Sequence, residues 1–216
     1  MLQLAVFLGN PGSQYRLNRH NAPWMLAEEL PFFPDLDWQK KFKGLYASID
    51  GARLSTELAA DVPGKIHFLK PQTYMNLSGE SAQAAAAFFK IGLEDIIVIH
   101  DEIELPLGTL SLKFSGGLGG HNGLRSMKSV FGSAEFWRLR VGIGRPDGRL
   151  PGKGGNPESS RTAGIAGWVL SDFTDDEIEA LTPAFNTGAG LLVQALTAEP
   201  KLLLPEWSKK NCATEP

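Results

Sequence analysis

Cysteine is nearly missing from this 216-residue chain: Cys212 is the only one, close to the C-terminus. A single thiol builds no disulfide framework and no cysteine-based zinc site, and a reducing compartment fits that scarcity. Long apolar runs are also missing, and none approaches the roughly twenty residues that cross a bilayer. The chain runs straight into LAVFLG without a basic leader, so the cytoplasm is the default location. No G-x-S-x-G elbow offers a serine nucleophile. The glycine cluster between Gly116 and Gly123 lacks the third glycine of a dinucleotide fingerprint and the Lys-Ser/Thr pair of a P-loop. No second histidine at helical spacing completes a zinc motif, so metal and cofactor are expected to be absent. Net charge is only −3, which argues against a general nucleic-acid coat.

The charge is unevenly placed, however. Residues 105–161 carry nine Lys/Arg against three Asp/Glu, and the remainder carries twelve against twenty-one. A basic segment on an acidic chain suits a local anionic contact such as phosphate, although a solvated loop face has the same composition.

Hydropathy and turn signals give strands alternating with helices. Apolar runs ending at Leu8, Leu69 and Ile99 are expected to be buried strands. Residues 45–50 and 53–58 suggest a hairpin around Asp50-Gly51. Further strands are expected at Thr109–Phe114 and Arg138–Ile143. Helices are expected from Ala22 to Leu30, from a Ser78 cap to Lys90 with Gly92 as stop, and from Leu124 to Phe131. A last helix behind a Thr174/Glu177 capping box carries a stripe of Ile178, Leu181, Phe185, Leu192 and Leu196. Residues 144–162 have no periodicity and suggest a long loop. The expected fold is α/β: one three-layer domain over residues 1–200, with a mixed, mostly parallel twisted sheet and helices on both faces. Residues 201–216 are expected to form a poorly ordered tail.

The three apolar strands each deliver a polar residue past their ends: Asn10, Asn76 and Asp101. If the strands are parallel, those residues meet on one rim, where open α/β sheets bind ligands. His20 could act as a base with Asp101 as its orienting partner, and His100 and His121 compete for that role. With no side-chain nucleophile in sight, the hydrolytic option is a histidine that activates water. Asparagine amides both donate and accept, so they suit a peptide group, though each could equally cap a turn.

Several stretches together resemble one family: Gly9-Asn10-Pro11-Gly12 with Arg19-His20-Asn21, Tyr74-Met75-Asn76-Leu77-Ser78-Gly79, His100-Asp101-Glu102, Gly119-Gly120-His121-Asn122-Gly123, and Arg138 to Gly144. In order and spacing they are similar to bacterial peptidyl-tRNA hydrolase over roughly residues 2–180. The resemblance implies an esterase that frees tRNA from peptidyl-tRNA for reuse in translation. It implies His20 as general base, Asp101 as its orienting acid and Asn10 at the peptide. It also implies Asn76 and Asn122 at the tRNA 3′ end and peptide backbone, lined by Tyr15 and Tyr74, with Lys113 and Arg140 on tRNA phosphates. A cytoplasmic monomer without metal is the corresponding expectation. A non-catalytic RNA-binding relative on the same fold is the alternative, and a peptidase or nucleoside-processing enzyme rests on fold analogy alone.

Overall fold

Four short runs rich in Ile, Val, Leu and Phe make the centre of the molecule. They are β1 (Leu4–Phe7), β4 (Lys65–Pro71), β5 (Ile96–Glu102) and β7 (Trp137–Gly142). All four β1 residues are buried, as expected of a strand covered on both faces. The computed structural model describes residues 1–58, 62, 64–145 and 164–213. Strands β2 (Gln39–Lys41), β3 (Gly44–Asp50), β6 (Thr109–Phe114) and β8 (Lys210–Asn211) complete one sheet of order β2-β3-β4-β1-β5-β7-β6-β8. The central strands β4, β1, β5 and β7 run parallel, and both margins are antiparallel.

Helices cover both faces, which gives three layers. On one face α1 (Ala22–Glu28) and α6 (Asp175–Thr197) bring Leu26, Leu181, Leu192 and Leu196 against Phe7, Ile97, Ile99 and Leu139. On the other, α3 (Ser78–Phe89) and α4 (Asn122–Phe131) bring Ala82, Ala85, Leu124 and Met127 against Val6, Leu8, Leu69 and Val98. The remaining helices are α2 (Gly51–Leu58), the turn and a half α5 at residues 164–169, and α7 (Leu204–Trp207). No helix among the described residues is long and apolar enough to cross a membrane.

The expected hairpin at Asp50-Gly51 is not formed. β3 pairs with β4 along its whole length, from Gly44↔Pro71 to Asp50↔Lys65, so residues 53–58 have no strand to join. They form α2 instead, with Asp50 accepting from the backbone N–H of Ala52 (3.0 Å) at its start and Leu54 buried against the sheet. Ser78 does not cap α3; it lies inside the first turn, with its hydroxyl on the Met75 sulfur. That helix stops at Lys90, in the left-handed region at φ 58°, before Gly92 is reached. The Thr174/Glu177 capping box is present on α6.

Two boundaries bear on function. β5 runs on through His100, Asp101 and Glu102, because β7 supplies partners Arg140, Val141 and Gly142 for all three. The segment expected as a frayed tail also packs: residues 200–211 add α7 and β8, Trp207 is buried, and β8 pairs with Thr109 and Leu110. Its order comes from an open β6 edge, a tertiary partner that local composition does not announce. The expected loop 144–162 lies outside the described residues apart from Gly144 and Arg145.

Candidate active site

The parallel order β4-β1-β5 brings the ends of the three apolar strands side by side, and their polar residues meet there. Asp101 follows Ile97 and Ile99 on one face of β5, two residues beyond the point where Ile99 opposes Phe7. His20 sits in the 3-10 turn Arg19–Asn21 that leads into α1, and its Nδ1 lies 2.9 Å from both Asp101 oxygens. Both residues are buried. An ionised carboxylate can only accept, so the His20 proton sits on Nδ1 and the nitrogen left for chemistry is Nε2.

His121 also reaches Asp101, with Nε2 2.9 Å from Oδ1, an oxygen that His20 contacts too. It is also the N-cap of α4, where its Nδ1 accepts from the backbone N–H of Gly123 (3.1 Å) and Leu124 (3.4 Å). Backbone N–H groups always donate, so Nδ1 carries the lone pair and the His121 proton lies on Nε2, pointed at Asp101. One carboxylate thus accepts from two imidazoles. Burial alone would raise the Asp101 pKa, but the nearby His20 and His121 and their hydrogen bonds overcome it and hold the carboxyl far below the usual range.

His20, Asp101 and His121 offer three metal-type donor atoms within 4.8 Å of one another. Proton bookkeeping argues against their serving together as ligands. A cation on His121 Nε2 would push the proton to Nδ1, against two backbone donors, and cost α4 its cap.

His100, the other candidate base, is fully buried under the site. Burial, reinforced by the neighbouring His121, pushes its pKa down to about 3, and its Nδ1 is 2.7 Å from the Asp101 carbonyl. Its Nε2 also lacks a partner among the described residues but is buried away from the cleft, so of the cleft-lining histidines His20 is the one with a free nitrogen.

Around the pair lies a cleft of about 730 Å³ lined by Asn10, Tyr15, Tyr74, Asn76 and Asn122 with His20, Asp101 and His121. Asn10 is held on three sides. Its Oδ1 accepts from the backbone N–H of Met75 (2.9 Å), and its own backbone N–H and C=O exchange hydrogen bonds with the Asn21 side chain (2.8 and 3.0 Å). Among the described residues no partner holds its Nδ2, or the amides of Asn76 and Asn122, so three carboxamides are available to a ligand. The far wall is apolar: Ile103, Ile165, Val169 and Leu170.

A family model described as Peptidyl-tRNA hydrolase matches residues 4–213. The chain belongs to the peptidyl-tRNA hydrolase family. It is 44% identical over 215 residues to the peptidyl-tRNA hydrolase of Treponema pallidum (strain Nichols), covering 97% of this chain and 96% of that one. To the peptidyl-tRNA hydrolase of Desulfitobacterium hafniense (strain Y51) it is 41% identical over 189 residues, 87% and 89% of the two chains. The fold is similar to the crystal structure of peptidyl-tRNA hydrolase from Acinetobacter baumannii at 1.00 Å resolution, with TM-score 0.71 and 29% identity over 96% of this chain and 92% of that one.

In this member of the peptidyl-tRNA hydrolase family, Lys113 and Arg140 stand apart from the cleft. Lys113 is exposed on β6, opposite Arg138 of β7. Arg140 is half-buried, donating to the Ser111 hydroxyl (2.7 Å) with Glu102 at 3.7 Å. Three contributions escaped the sequence reading. Arg125 lines the cleft one helical turn beyond His121, a spacing that could have revealed it once α4 was started at Asn122. The buried Arg138 donates to the carbonyls of Gly117 (2.6 Å) and Gly116 (3.0 Å), fixing the loop before His121. The apolar wall from α5 follows the undescribed stretch and had no local signal.

Proposed function

We propose that hydrolysis of peptidyl-tRNA, the reaction of this family, runs here on a water molecule activated by His20. What carries this reading is the His20–Asp101 contact at the head of the cleft. With Nδ1 committed to Asp101, Nε2 takes a proton from water as the oxygen attacks the ester carbonyl. The bond from that carbonyl to the terminal ribose oxygen then breaks, and the proton passes to the leaving ribose. Asp101 stays ionised throughout and stabilises the imidazolium formed in between. His121 holds the same carboxylate through Oδ1 and keeps it aligned.

The carboxamides of Asn10, Asn76 and Asn122 are the donors available to the developing oxyanion and the peptide backbone. Tyr15 and Tyr74 line the same cleft and are proposed to contact the tRNA 3′ end. Lys113 and Arg140 are proposed as phosphate contacts of the tRNA body; for Arg140 this means exchanging Glu102 for phosphate. The reading further takes the chain as a cytoplasmic monomer that needs no metal.

Single-turnover release from an N-acetylated aminoacyl-tRNA, with and without chelator, tests the core of this. Release is expected to be insensitive to chelator and to disappear in His20→Ala with tRNA still bound. Loss on chelation would restore a metal, and tRNA binding with no release by the natural chain would make it a binding relative. Lys113→Ala should weaken full tRNA more than a short ester mimic and lower the salt slope by about one. Equal losses on both substrates would remove the phosphate role.

A further inference from the structure

Arg19 stands next to the proposed base, yet nothing in the hydrolytic scheme uses it. It is 4% exposed. Its guanidinium forms a fork on Glu177, Nη1 to Oε1 at 2.9 Å and Nη2 to Oε2 at 2.8 Å, and its Nε donates to the Ser171 hydroxyl at 3.2 Å. The same group lies 3.7 Å from the Trp168 ring centroid and 4.8 Å from that of Phe173. Its backbone N–H donates to the Ser171 carbonyl (3.0 Å), while Phe173 N–H donates to Leu17 O (3.0 Å). Asn18 and Asp172 form a bridge, and their side chains are hydrogen-bonded.

These contacts all join one pair of segments. One is the turn 17–21 that carries His20. The other is residues 168–177, which follow the cleft-wall residues Ile165 and Ala166 and include Val169 and Leu170. On the other flank, Asn21 is tied to Asn10 at the end of β1. His20 is therefore held between two anchored neighbours, one fixed to the sheet and one to the wall. An almost fully desolvated guanidinium is a costly way to obtain stability alone, since well-packed apolar groups usually do as well. What it supplies is geometry, because a planar fork accepts one arrangement of its partner.

We propose that Arg19 is a positioning residue: its fork on Glu177 and stack on Trp168 hold the His20 ring in register with both Asp101 and the apolar cleft wall. This rests on His20 as base. Displacements near 1 Å cost such a site roughly a hundredfold.

Two variants test the assignment. Arg19→Lys keeps the charge and loses the fork. Glu177→Gln weakens the fork while glutamine still closes the capping box on α6, so this variant is expected to fold even if the first does not. Each is examined by single-turnover release, by thermal unfolding, and by the NMR resonance of the His20 Nδ1 proton bound to Asp101. Both variants are expected to lose roughly tenfold or more in the rate of release, with that resonance shifted or broadened away while the protein remains folded. An unchanged resonance overturns the assignment, whether the rate holds or falls, because the ring then stands where it did. A lower melting point with rate and resonance intact would leave Arg19 a brace. His20→Gln separates the underlying premise: if it turns over normally, the base is elsewhere, and the resonance still decides whether Arg19 sets that ring.

Discussion

At the scale of single residues, two buried histidines make stability depend on pH. Burial pushes His67 down to about 4 and His100 to about 3, while an unfolded histidine titrates near 6.5. Below about pH 6.5 the unfolded chain therefore binds protons that the native chain refuses. Stability is full above that value and is lost as pH falls towards 4. Asp101 has the opposite ionisation and the same direction of loss: its depressed pKa stabilises the fold above about 3.9, and that contribution disappears in stronger acid. His67 is remote from the cleft, stacked on Phe89 at 3.9 Å with its Nδ1 2.8 Å from the Tyr46 hydroxyl. Urea unfolding of His67→Gln between pH 4.5 and 6 should show a pH slope smaller by about 1.1 kcal/mol per unit than the natural chain. An equal slope would mean that His67 is charged in the folded state.

Much of the site could be read at this scale. Asn10, Asn76 and Asp101 were recognisable because each follows an apolar run, and the structure shows that a run's end is a shared place when strands are parallel neighbours. The choice among three histidines could not be read. It depends on burial for His100 and on a helix cap for His121, both of which exist only after folding. Arg140 illustrates the same limit, since its charge was visible and its Ser111 and Glu102 neighbours were not.

Among the elements, the close approach of α3 and α4 sets where His121 and Asn122 stand. A β-carbon on Gly79 would lie 2.4 Å from the Ser126 backbone carbonyl oxygen, and the Gly79 N–H donates to the Ser126 hydroxyl at 2.9 Å. Backbone cannot rotate away as a side chain can, so Gly79→Ala has to separate the helices. The expected cost is roughly 1–3 kcal/mol, or several degrees in the melting midpoint of a chain this size. Release from peptidyl-tRNA should fall as well, since α4 carries its first turn into the cleft. A variant with unchanged melting and activity would show that the two helices shift apart freely. Element type was predictable wherever periodicity was long, as in α6. It failed at 53–58, where a good turn signal opened a helix, because β4 had already claimed β3.

For the whole molecule, the sheet's two edges are handled differently. β2 presents exposed Lys40 and Lys41 to solvent, charges that discourage strand addition. β6 is covered instead by β8, with the Ser111 hydroxyl donating to the Ser208 carbonyl and Trp207 buried beside it. The layered α/β class was legible from the alternation of strands and helices, whereas the closing role of the last residues was not.

Strand β1, made before β4 and β5, lies between them, and the turn after it is pinned by Ser171 and Glu177, about 150 residues later in the sequence. During its own synthesis this enzyme is a peptide esterified to tRNA, the kind of bond it cleaves. The order of assembly gives it a built-in delay: the strand-end residues can gather only after β5 is made, and the His20 turn is clamped only after α6 begins. Nascent chains ending before residue 170 should accordingly show no hydrolysis, and activity should return in the slowest phase when denatured full-length chain is diluted into buffer. Hydrolysis by the shorter chains would mean that the molecule comes alive while still attached.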